Sequence, residues 1–174
     1  IKAELLNQAF TQSYGSCVLA SYAIVANYFS RLPIESYFQA YCRHFSINLD
    51  CNCEYASAEH FDREWKSRNC KGYQVILDVH NHSKLPEFET SRSLFNTRFF
   101  EVSLQFFQEI KEILETQEAF ANITFCQENQ CHSVTVFSTN HGFCVRDTNQ
   151  TGLIPFDFNP MKFNFRDAVL YSRK

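Results

Sequence analysis

Glycine and proline are scarce in this chain, four of each among 174 residues, and no stretch is of low complexity. That excludes collagen-like and Pro/Gly-rich disordered classes. No run of basic residues occurs and the formal net charge is −3, so the footprint of a nucleic-acid module is missing. The apolar run from Cys17 to Phe29 contains Asn27 and falls short of the ~20 residues that span a bilayer. No transmembrane segment is expected, and the chain reads as soluble. No Cys-x-x-Cys pair, internal repeat or domain linker is present. The chain opens on Ile1 without a signal-peptide pattern, as expected of a processed form or of a region cut from a longer protein.

What is abundant is phenylalanine, with 19 residues, and cysteine, with eight. A chain of this length buries a real core, so a single domain over 1–174 is expected, and one that needs no disulfide framework. Cysteine usage then favours a reducing compartment. Sequons stand at Asn81, Asn122 and Asn149. Asn122 falls in a strand read as buried, which makes the match a chance one.

In chain order, Leu5, Leu6 and Phe10 suggest a short helical lead-in. From Val18 onward apolar residues surround the helix axis, which marks a buried helix over 17–30. Pro33 starts a second helix carrying Ile34, Tyr37, Phe38, Tyr41 and Phe45. Residues 48–54 read as a polar loop, followed by a helix over 56–69 with Phe61 and Trp65 and a stop at Gly72. Tyr73–Val79 reads as a strand. Residues 81–97, with Pro86 and little periodicity, read as a long connection bordering a cleft. Val102, Phe106, Ile110 and Ile113 mark an amphipathic helix to Thr116, with Glu109, Glu112 and Glu115 on its solvated face. Strands follow at 119–125, 132–137 and 143–146, with a fourth around 153–156. Short links make them antiparallel. The expected class is α+β, with helical parts over about 1–72 and 100–117 and a sheet part over about 118–174, the helix of Cys17 packed on the sheet.

One constellation carries chemistry. Tyr14, Gly15 and Ser16 form a turn that delivers Cys17 to the first turn of the buried helix, with Ser16 as cap. Helix dipole and unpaired N–H groups there favour the nucleophilic thiolate. His132 opens one strand and Asp147 ends its hairpin partner, so the two are expected to meet at one sheet edge. A carboxylate on one imidazole nitrogen fixes the tautomer and leaves the other as base. Gln12, across the turn from Cys17, is an oxyanion donor beside the Cys17 N–H, with Gln8 as the other upstream choice. Asn149 is an alternative partner for His132. Cys131 is expected to point away from His132 and to pack. His80 and His82 with Cys51 and Cys53 match no strong zinc spacing.

The order Gln12, Cys17, His132, Asp147 resembles that of papain-like cysteine peptidases. Gly15-Ser16-Cys17, His132-Ser133 and the series Asp147, Asn149, Gly152 resemble the motifs of bacterial effector cysteine proteases delivered into host cells. The trailing Phe156, Phe158, Phe163 and Phe165 are similar too. A second similar branch is the leader-cleaving peptidases of bacteriocin exporters. Thr148 departs from the proline common after the aspartate, and Ser16 has no fixed match in either branch. Nothing between about 45 and 100 resembles either.

The resemblance implies a papain-like fold and a Cys-His-Asp triad that cleaves a peptide or isopeptide bond in a protein substrate. It implies no cofactor and no metal, and an effector acting in a host cytoplasm in virulence. The same residues also suit acyl transfer of the transglutaminase kind or glutamine deamidation. A rival of another class is an inactive papain-like fold used as a binding module.

Overall fold

The computed structural model describes residues 1, 4, 6, 10, 17–44, 72–101, 104–127, 130–157, 159 and 164–174. The chain is a mixture of helices and one largely antiparallel sheet. It divides into two compact units, Gln12–Phe95 and, together, Ile1–Thr11 with Asn96–Lys174. Among the described residues no single helix is long and apolar enough to cross a membrane. The loop over 48–54, the helix over 56–69, Gln8, Phe45 and Cys70 lie outside the described residues, as do Gln12 and the turn before Cys17.

The first unit is helical. Helix α1 (Cys17–Ser30) buries Leu19 through Ala26 without a break, as its all-round apolar pattern demands. It ends where Arg31 takes a left-handed φ of 65° and donates its N–H to the Asn27 carbonyl at 2.8 Å. Helix α2 (Ile34–His44) then starts directly after Pro33. Helices α3 (Gly72–His82) and α4 (Pro86–Leu94) are the other helices among its described residues. Tyr22 lies at its centre, with ring centroids 6.0 Å from Tyr37, 6.4 Å from Phe88 and 6.5 Å from Phe95. Its hydroxyl hydrogen-bonds the buried His80 Nδ1 at 2.7 Å.

Two expectations are corrected here. Tyr73–Val79 is not a strand but part of helix α3, which begins at Gly72. Its valines and isoleucine suggest a strand, but Tyr73, Val75, Ile76, Val79 and His80 are the buried positions, which is helical spacing. Residues 81–97 are not an aperiodic connection. They hold the end of α3, then α4, then the start of β1 (Phe95–Glu101). Pro86 occupies the first turn of α4, where its missing N–H costs nothing. Only Phe88 and Ser91 of α4 are buried, too few to show a period.

The second unit is the sheet. Strands β2 (Ala119–Gln127), β3 (Gln130–Thr139), β4 (Gly142–Arg146), β5 (Ile154–Pro155) and β6 (Phe165–Arg173) join β1 in the order β1-β6-β2-β3-β4-β5. The β6-β2, β2-β3, β3-β4 and β4-β5 pairings are antiparallel. β6 has no counterpart among the strands expected from the sequence, where this end of the chain stands out only for its phenylalanines. Helix α5 (Leu104–Thr116) packs Phe106, Phe107, Ile110 and Leu114 with Ala121, Ile123, Val134, Val136, Ala168 and Leu170. Glu112 and Glu115 are exposed, and Glu109 pairs with Arg98 at 2.8 Å. Asn122 is fully buried on β2, so its sequon is inaccessible. Cys126 and Cys131 face each other across β2 and β3 and form a disulfide. Cys131 is thus bonded instead of merely packed, by a link that reducing compartments disfavour.

The turn between β3 and β4 is two residues, Asn140 and His141, with Thr139 paired to Gly142. Gly142 has φ +116°, yet a Cβ there would meet nothing within 4 Å. Substitution therefore costs backbone strain alone. Gly142→Ala is expected to lower stability by about 1–3 kcal/mol; urea unfolding at neutral pH checks this, and an unchanged midpoint refutes it.

Candidate active site

Cys17 is the first residue of α1, partly exposed, and a free thiol. It belongs to the helical unit, whereas His132 and Asp147 belong to the sheet unit. Cys42 and Cys144 are the other free thiols among the described residues; Cys42 is buried and Cys144 lies within β4.

The β3-β4 ladder positions the other two groups. Its last described rung pairs Thr135 with Arg146. Extended past that rung, the same register sets Asp147 beside Val134 and Asn149 opposite His132. His132 and Asp147 are then diagonal neighbours on one sheet face, within reach of long side chains. The chain turns after Arg146 and closes this gap. His132 Nε2 lies 2.7 Å from Asp147 Oδ1. The structure thus brings together the pair fifteen residues apart that the hairpin argument singled out.

Several contacts fix this pair. The Asn149 N–H donates to Asp147 Oδ1 at 2.9 Å, an Asx-type turn that fixes the carboxylate. The Gln150 N–H donates to the Asp147 carbonyl at 3.1 Å. The Asn149 Nδ2 stands 3.4 Å from His132 Nε2, a close approach that is no hydrogen bond while Nε2 carries its proton. The Phe125 ring meets the imidazole edge-on, with centroids 5.8 Å apart. Both His132 and Asp147 are about four-fifths buried, at 20% and 21% exposure.

Burial alone would raise the Asp147 carboxyl. The His132 hydrogen bond, the Asn149 N–H and the nearby His132 and Arg146 charges outweigh it and hold Asp147 below the usual carboxylate value. An ionised Asp147 facing His132 is an acceptor, so Nε2 carries the proton and the ring's lone pair sits on Nδ1. The pair can therefore take up a proton at Nδ1 while the carboxylate stabilises the resulting imidazolium.

Sequence reasoning passed over Arg146, taking it only as the end of a strand. It is fully buried. The signal was present: a guanidinium closing an apolar strand, Phe143 to Val145, on one arm of the expected hairpin.

A depressed Asp147 value has a pH consequence. Because the folded carboxyl ionises more readily than the unfolded one, its ionisation stabilises the fold. That contribution is complete above the ordinary value of 3.8 and is lost as pH falls through the lower folded value. Asp147→Asn should remove this part of the acid dependence, giving a flatter stability curve below about pH 4 than the parent shows. Chemical denaturation at pH 2 to 6 measures it; parallel curves would refute it.

No protein-family model and no curated protein matches the sequence. Among solved structures, the Pseudomonas avirulence protein AvrPphB is similar at 12% identity and a TM-score of 0.37, over 97% of this chain and 98% of that one. A likeness of that degree fixes neither fold nor activity.

Proposed function

We propose that this chain is a papain-like thiol hydrolase that cleaves a peptide or isopeptide bond, with its two units forming one catalytic domain. The observation that carries the reading is the 2.7 Å bond from His132 Nε2 to Asp147 Oδ1. It sets the tautomer that a base for a thiol requires. Cys17, at the head of a helix, supports it as the nucleophile.

In this scheme the Cys17 sulfur attacks the carbonyl carbon of the substrate and its proton passes to His132 Nδ1. The tetrahedral oxyanion is held by the Gln12 side-chain amide and the Cys17 N–H. His132 then returns the proton to the leaving amine. Water, deprotonated by His132, hydrolyses the thioester and restores the thiol. Asp147 orients the ring and stabilises the imidazolium throughout. No cofactor takes part. The substrate is a protein or peptide, and a role as an effector within a host cell belongs to the same reading.

Cys17→Ala should abolish turnover and leave the circular dichroism spectrum unchanged. His132→Ala should be nearly as severe, whereas Asp147→Asn should be milder, since an amide can still hold the ring. Incubation with candidate proteins and mass spectrometry identifies the reaction: new termini mean proteolysis, a one-dalton gain means deamidation, and a new amide cross-link means acyl transfer. Turnover retained in Cys17→Ala refutes the scheme. Unselective slow alkylation of several thiols would favour an inactive binding module.

Gln12→Ala should reduce kcat by about a hundredfold or more with little change in KM, because its donor serves an oxygen charged only during attack. Alkylation of Cys17 by iodoacetamide should proceed at nearly the parent rate in that variant. Full activity in Gln12→Ala with loss in Gln8→Ala would transfer the role to Gln8.

A further inference from the structure

Arg146 is among the largest fully buried side chains of the described residues, and it carries a charge. A guanidinium out of water is costly unless its donors are matched. Among the described residues its acceptors include main-chain carbonyls from two separate places. Nη1 donates to the carbonyls of Asp147 at 2.9 Å and Gln150 at 2.5 Å. Nε donates to the Leu6 carbonyl at 3.0 Å, and Nη2 to the Phe10 carbonyl at 2.5 Å.

The first two acceptors are the ends of the turn that aims the Asp147 carboxylate. The Asp147 carbonyl takes one bond from the Gln150 N–H and one from Arg146, and the Gln150 carbonyl is held by the same nitrogen. With both ends held, the Asn149 N–H stays on Oδ1 and Oδ1 stays on His132. The two bonds to the lead-in, at Leu6 and Phe10, keep the planar fork in the orientation that reaches the turn. A lysine has three tetrahedral donors on one atom and cannot span these positions.

We propose that Arg146 is a positioning residue of the candidate site: by clamping the Asp147–Gln150 turn it holds the Asp147 carboxylate on His132. The proposal rests on the reading of His132 and Asp147 as the working pair. The charge also acts through space, being one of the causes that keep Asp147 ionised.

The test is nitrogen-15 NMR of the His132 ring, which needs no turnover and can be run in a Cys17→Ala background. In the parent the neutral ring should be protonated at Nε2, and Asp147→Ala sets the scale for its release. Arg146→Lys and Arg146→Met should each move the His132 ring signals by at least half of that displacement while near-ultraviolet circular dichroism remains native. Folded variants with parent-like His132 signals overturn the proposal. Should both variants fail to fold, hydrogen exchange in the unmutated chain decides. The Asn149 and Gln150 amides and the Arg146 Nε–H should then open together, with one protection free energy. Unprotected turn amides beside a protected Arg146 Nε–H overturn it. Where the hydrolase reading holds, Arg146→Lys should also lower kcat by about tenfold to a hundredfold with KM little changed. Failure of that reading shows instead as turnover in Cys17→Ala, and leaves the His132 measurement intact.

Discussion

The candidate site depends on the register of one hairpin. Thr139 pairs with Gly142 and Thr135 with Arg146, and from that alignment alone His132 and Asp147 come to share a face. A slip by one residue would put them on opposite faces of the sheet and would also expose Val134 and Val136, which are core. The hydrophobic drive that seats β3 against α5 therefore also sets the polar pair. The left-handed Gly142 allows the two-residue turn that this register needs. Site and core are thus not separate achievements of the fold.

On the opposite parity of the same strands, buried polar groups share the face with the buried rings of Phe120 and Phe137. Asn122, Thr135 and Arg146 lie in one row across β2, β3 and β4, each fully buried. Thr135 Oγ1 donates to Asn122 Oδ1 at 2.7 Å. Burying such a row adds little net stability, since desolvation offsets most of what the bonds return. Its value lies in fixing where the β4 end and the turn after it sit.

Much of this was legible in the sequence. Strands β2, β3 and β4 follow from alternation and short links, α1 from apolar residues on all sides, and α5 from its amphipathic period. The meeting of His132 and Asp147 followed from hairpin geometry. The failures have physical causes. In α3 the β-branched Val75, Ile76 and Val79 obscured a helical period. In α4 a proline that starts a helix counts, with so few buried positions, as a mark of a connection. β6 is buried from Asp167 to Tyr171 without alternation because both its faces are covered; a short continuous run of that kind carries no period to detect. Arg146 escaped because partners such as Leu6 and Phe10 are far away in sequence and are main-chain atoms, which no side-chain pattern encodes.

The hairpin disulfide has a practical side. Cys131 is exposed, bonded to Cys126, and adjacent to His132 in the chain. A free thiol such as Cys17 is ordinarily kept active in the test tube with an added reductant, and that reagent reaches an exposed disulfide by the same exchange chemistry. Protection of one sulfur and opening of the other two are then doses of a single reagent. The redox state of the solution sets the state of the strand that carries His132, so preparations made with and without reductant contain two different covalent forms of the chain.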